Sequence, residues 1–228
     1  MISTTRTCWG LPRRGALSLA VALQCAAPAV LAEDRPEAGE VELQVAWTGG
    51  AERNATEFAI DAGILPGLHL ELEYGRARPA DDPDESRTSG WGMTVEALRP
   101  LTAGWTGGLR VLVESEKDRG TRLSERETGF DAVVLFAHPQ TATEWELDLG
   151  ARRDDSGSRP VWAVQVAREI GHGVLLGVDY SGGRHERPAV AARVEFELDD
   201  ELKLQFIAGR GGNGRTATIA LEVALPLW

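Results

Sequence analysis

From about Glu40 to Trp228 the chain alternates apolar and polar residues in segment after segment. Val41, Leu43, Val45 and Trp47 share one parity, with Glu42, Gln44 and Ala46 between them. Leu68, Leu70, Leu72 and Tyr74 alternate with His69, Glu71 and Glu73, and Trp145, Leu147, Leu149 and Ala151 alternate with Glu146, Asp148 and Gly150. A period of two sends successive side chains to opposite faces of a strand, whereas a helix repeats near 3.6. The pattern predicts strands near 40–48, 55–63, 68–76, 90–98, 104–115, 128–137, 143–152, 161–169, 173–181, 189–198, 202–210 and 216–225. Segments of about ten residues, apolar on one face and polar on the other, are the pattern of a barrel crossing an outer membrane.

The connections and the aromatic residues orient that barrel. Short turns are expected at Leu65-Pro66-Gly67, 99–103, 138–142, Gly171-His172-Gly173 and Asp199-Asp200-Glu201. Longer, charged, glycine-rich loops are expected at 76–89, 116–127, 153–160, 182–188 and 210–215. Short turns belong on the periplasmic side, and an even strand count puts both termini there. Trp47, Tyr74, Trp91, Phe130, Trp162 and Tyr180 then fall near the outer strand ends, and Trp105, Phe136, Trp145 and Phe196 near the periplasmic ends. All ten share lipid-facing parity and read as two interfacial girdles. A soluble sandwich would instead gather its aromatics at mid-strand. A three-residue loop at Asp199-Asp200-Glu201 would set Leu198 opposite Leu202 facing lipid and Glu197 opposite Lys203 facing inward, an opposite-charge pair.

The first 32 residues are expected to be a secretory signal. Arg6, Arg13 and Arg14 precede an apolar stretch broken by Gln24 and Pro28, and Val30-Leu31-Ala32 offers small residues before Glu33-Asp34. Residues 33–39 would form a short periplasmic lead, and 40–228 the barrel. Cys8 and Cys25 both lie in the leader, so a mature chain has neither a disulfide framework nor a thiolate metal site. The leader takes three of the 24 basic residues and none of the 35 acidic ones, leaving 21 against 35. That balance argues against nucleic acid as a partner.

The run Trp145-Glu146-Leu147-Asp148-Leu149-Gly150, then Val178-Asp179-Tyr180, then Leu202 to Gly211 resembles the closing strands of the outer-membrane proteins grouped as the MetA-pathway of phenol degradation family. The likeness covers roughly the last 85 residues. It implies passage of small aromatic compounds and supplies no catalytic or binding motif.

Inward parity is strongly acidic: Glu57, Asp61, Glu71, Glu73, Glu96, Glu114, Asp131, Glu146, Asp148, Asp179, Glu195, Glu197 and Glu222. Inward bases are Arg110, Arg152, Arg193 and Lys203, with His69 beside them. Acidic linings select cations, so the predicted function is a narrow passage for small solutes, aromatic ones by the resemblance. The alternative is a closed structural barrel acting through its external loops. The surroundings implied are outer-membrane lipid and lipopolysaccharide, and the terminal Trp228 points to the outer-membrane insertion machinery even though it is one residue out of the lipid-facing phase. No cofactor or metal is expected. Asp81-Asp82-Pro83-Asp84-Glu85 lacks the spacing and turn glycine of a calcium loop. Gly209 to Gly214 joins two strands and has no Lys-Ser/Thr pair, so it is a turn rather than a phosphate loop. Of the histidines only His69 lies mid-strand, and no serine neighbours it, which argues against a hydrolase.

Overall fold

The computed structural model describes residues 35–226 apart from 51–52, 80–87, 103, 119–123, 139–141, 172, 185–187, 200 and 212–213. The expected leader, Glu33-Asp34, the acidic loop at 81–85, His172, His185 and Trp228 lie outside the described residues.

Twelve strands follow in order: β1 (Glu40–Gly50), β2 (Arg53–Leu65), β3 (Leu68–Pro79), β4 (Thr88–Thr102), β5 (Trp105–Asp118), β6 (Ser124–His138), β7 (Thr143–Asp154), β8 (Gly157–Glu169), β9 (Val174–Gly183), β10 (Ala189–Asp199), β11 (Leu202–Gly211) and β12 (Gly214–Pro226). Each pairs antiparallel with its neighbour in sequence, and β1 pairs with β12, from Glu40 opposite Pro226 to Gly50 opposite Thr216. The sheet is therefore a closed barrel with no free edge. All twelve strands appear where the alternation predicts them, and each is at least as long as the 9–11 residues a tilted strand needs to cross a bilayer.

The two faces separate as the period of two requires. In β1, Glu42, Gln44 and Ala46 are buried, while Leu43, Val45 and Trp47 are 38%, 46% and 52% exposed. Phe130, Leu149, Val111 and Leu109 are likewise more than half exposed, so the outer wall is apolar. The girdle aromatics also touch: Trp105 and Phe136 have ring centroids 4.4 Å apart, and Trp162 and Tyr180 4.9 Å. Those contacts leave Phe136 and Trp162 only half-buried while their partners Trp105 and Tyr180 stay exposed.

The connections differ from expectation in two ways. Several strands run on into the segments predicted as outer loops. The stretch 153–160, expected to be a loop, is mostly strand, because the Asp154 carboxylate accepts hydrogen bonds from the amides of Ser156 and Gly157 and closes a tight turn. On the periplasmic side, three hairpins carry a bulge. The registers shift between Gly63 and Leu65, between Pro100 and Thr102, and between Glu197 and Asp199. The extra residues are Ile64, Leu101 and Leu198, at 46%, 63% and 56% exposure. Asp199, not Leu198, therefore opposes Leu202, which corrects the expected three-residue loop. The bulge absorbs one residue and keeps an apolar side chain outward at the inner interface.

An arginine at Val111 or Leu149 is expected to cost about 2–4 kcal/mol near the bilayer midplane, and one at inward Thr94 much less. Reversible unfolding in lipid vesicles measures all three, and equal costs at both faces would refute the assignment of faces.

Candidate functional site

Because inward parity carries the charged residues, the barrel interior is a polar core. Its centre is Arg110 on β5, with Glu96 of β4 and Asp131 of β6 directly opposite it in register. The guanidinium donates to Glu96 at 2.8 Å, to Glu146 at 2.9 Å and to Asp148 at 2.9 Å, the last two on β7. Glu146 is 1% exposed and Glu96 5%. Three carboxylates surround one cation that is only 20% exposed, and any of those carboxylates left unpaired there would be costly.

A second cluster stands on β6, β7 and β8. Arg152 holds Asp131 with two parallel bonds, 2.6 and 2.8 Å, and lies 3.9 Å from Glu127, which also takes Arg159 at 2.7 Å. Two glycines make the bidentate pair possible. Asp131 lies opposite Gly150 and Arg152 opposite Gly129, so each side chain folds over the glycine facing it. A Cβ on Gly150 would fall 2.0 Å from the Asp131 carboxylate, and one on Gly129 2.5 Å from Arg152 Cδ. The glycines are there for space.

The wall formed by β2, β3 and β5 is different. Glu57, Asp61, Glu71, Glu73 and Glu114 all face inward, and among the described residues no cation lies within ion-pairing distance of any of them. Glu57 is 6% exposed, and one oxygen each of Glu57 and Asp61 has no hydrogen-bond partner. Glu73 and Glu114 both lie over Gly92, with a Cβ there falling 3.1 Å from Glu73 and 3.6 Å from Glu114. The interior is thus divided into an ion-paired half and an acidic half.

Between these halves sits a segment that sequence reasoning placed outside the barrel. Residues 35–39 do not trail away from the periplasmic end; they fold into its mouth. Gly39 donates to the Gly63 carbonyl at 2.8 Å, and Ala38 forms a parallel bridge with Gly63. Only glycine fits at 63, since a Cβ would lie 2.0 Å from the Glu37 carbonyl oxygen. Pro36 is fully buried, and Arg35, 8% exposed, ion-pairs with Glu96 on one wall and with Glu146 at 3.2 Å on another. Nothing in the alternation marks Arg35, because it precedes the first strand. Its only signal is a lone base among Glu33, Asp34, Glu37 and Glu40.

The remaining expected lining residues are placed as follows. Arg193 and Glu195 are each 1% exposed, with Gln205 donating to Glu195 at 2.8 Å. Asp179 and His69 are half-buried on inward parity, His69 between Gly63 and Glu96 in register. Glu197 opposes Lys203 as the pattern required, yet Glu197 is exposed at the rim, and Lys203 is 3.2 Å from Glu222 instead. Glu222 is the directly opposed residue on the other flank and is buried, which makes its unpaired charge the costlier one. Glu197 therefore stands on inward parity at the mouth of the barrel. Glu127 and Arg159 were missed; continuing the odd parity of β8 back from Gln165 through Val161 would have found Arg159.

No protein-family pattern matches the sequence, and no curated relative matches it. Solved structures do match. The KdgM porin superposes with a TM-score of 0.66 at 9% identity, over 80% of this chain and 98% of that one. Its complex with disordered oligogalacturonate gives 0.64 at 9% identity, over 81% and 98%. The COG4313 outer membrane channel from Pseudomonas putida F1 gives 0.62 at 12% identity, over 82% and 96%. At such identities the likeness is one of fold. The chain is a twelve-stranded outer-membrane β-barrel with the architecture of small outer-membrane channels.

Asp131→Ala, which leaves Arg152 buried without its bidentate partner, is expected to cost about 3–5 kcal/mol. Glu197→Ala at the exposed rim should fall within about 0.5 kcal/mol of wild type. Urea unfolding in lipid vesicles compares them.

Proposed function

We propose that this barrel is a narrow, cation-favouring passage for small solutes across the outer membrane. The observation that carries the reading is the charged interior of a closed twelve-strand wall. A barrel built only as a scaffold gains nothing from five inward carboxylates that no cation neutralises, whereas a hydrated path past them is favourable to positive charge. The fold likeness to channels supports the class. The same carboxylates disfavour a polyanion such as the oligogalacturonate held by the KdgM porin. The resemblance of the closing strands to the MetA-pathway family supports small aromatic or weakly hydrophobic solutes.

One observation favours a second reading, a barrel closed to solutes that works through its external loops. Arg35, Glu96, Arg110 and Glu146 fill the lumen at one level, where Glu146 is almost wholly inaccessible. Planar-bilayer conductance under a salt gradient separates the two. The passage reading requires a small conductance with cation preference, reduced when Glu57, Glu71, Glu73 and Glu114 are changed together to Gln. These four are the better choice than Glu146 or Asp148, whose loss would strand Arg110. Arg35→Ala should raise the conductance several-fold by opening the constriction. Zero conductance in both wild type and Arg35→Ala selects the closed barrel, and anion preference refutes the charge argument.

A further inference from the structure

Charge is sorted on the outside of the barrel as well. In the extracellular half, the described strands carry acids only on inward parity: Glu114, Glu116, Asp118, Glu125, Glu127 and Asp154. Arg152 and Arg159 are inward, but the exposed bases of these strands stand on the outward face. Arg76 and Arg78 of β3 are outward and exposed on either side of buried Ala77. On β5, β6 and β7, Lys117, Arg126 and Arg153 are outward and exposed as well. The register makes these three a diagonal string. Lys117 opposes Ser124, two residues from Arg126, and Arg153 opposes Thr128, two residues from Arg126 on its other side. Diagonal neighbours of this kind stand roughly 7–8 Å apart. Among the described residues, the opposite rim has only Arg99 and Arg168 on the same face.

A second observation points to an anionic ligand. Arg210 and Arg215 oppose one another directly across β11 and β12, both exposed. Like charges placed so are destabilising. The interior contains the same arrangement, Arg152 opposite Arg159, and there Glu127 lies between the two guanidinium groups. Outside, among the described residues, no carboxylate stands near Arg210 or Arg215 to do the same. An external anion would.

We propose that this belt of outward cations, with Lys117, Arg126 and Arg153 at its centre, binds the phosphate groups of the phosphorylated glycolipid of the outer leaflet. Guanidinium pairs suit phosphate because they donate two parallel bonds. Arg76 lies over the Tyr74 ring, 5.4 Å from its centroid, and donates to the Tyr74 hydroxyl, so its charge is held at girdle level. Below Arg126 on the same face of β6 comes Phe130, 60% exposed. Cations above and an apolar wall below fit a lipid with a phosphorylated head and acyl chains, and free phosphate would use only the upper half. The belt makes the outer rim of the barrel a lipid-recognition surface, whatever passes through the lumen.

The test uses purified full barrel in detergent. Adding bisphosphorylated lipid A should raise the midpoint of thermal unfolding by roughly 5 °C or more at saturation. Dephosphorylated lipid A should not. The combined Lys117→Gln, Arg126→Gln and Arg153→Gln variant should lose most of the shift, while Arg99→Gln with Arg168→Gln keeps it. Where the triple variant fails to fold, Arg126→Gln alone should weaken lipid A binding several-fold by titration. An equal shift with dephosphorylated lipid A overturns the proposal. So does an equal shift with phosphatidylglycerol micelles, which would make the belt a general anionic-lipid surface, and so does an unaltered response in the charge-neutralised variants.

Discussion

Closure of the sheet is the constraint from which the rest follows. In hydrocarbon no water is available to an unpaired amide or carbonyl, so a spanning sheet must pair its first strand with its last. Here β1 pairs with β12 along the whole of β1. Closure fixes the pleat of every strand relative to the axis, and the pleat decides which residues meet lipid and which meet one another inside. Leu43 and Val45 face outward for the same reason that Glu42 and Gln44 face inward. The ion pairs between strands in the interior are set by that shared register.

The interior shows what happens when polar residues are enclosed without an apolar core. Around Arg110 and Arg152 charge is matched by charge, with glycines leaving room for the side chains to lie flat against the wall. Along β2, β3 and β5 it is not matched. Glu57 is buried there and Asp61, Glu71, Glu73 and Glu114 are half-buried, so this arc lacks the stabilisation that the paired arc has.

Strand number, strand identity and the two faces were legible in the sequence because a period of two leaves no freedom: the position of Leu149 on the lipid face fixes Asp148 and Gly150 on the other. The bulges at Ile64, Leu101 and Leu198 were not legible, since an extra residue at a turn leaves the alternation on either side unchanged. Nor was the pairing of Lys203 with Glu222 rather than Glu197; both acids have the right parity, and only the position of Glu197 at the rim decides between them. Arg35 was hidden most completely. Periodicity speaks for residues inside strands, and the path of a segment before the first strand is settled by partners far along the chain.

Those distant partners impose an order of events on biogenesis. Arg35 binds Glu96, 61 positions further on, and Glu146, 111 positions further on. Neither carboxylate is in place while the first strands are forming, so the beginning of the chain is among the last parts to settle. Contacts of such long separation make folding slow, because the chain between them must be ordered first. Gly39 can meet Gly63 as soon as β2 is in place, but Arg35 has both of its carboxylates only after β7 has joined the sheet. The seating of Arg35 between two distant strands is the barrel's record of completed assembly.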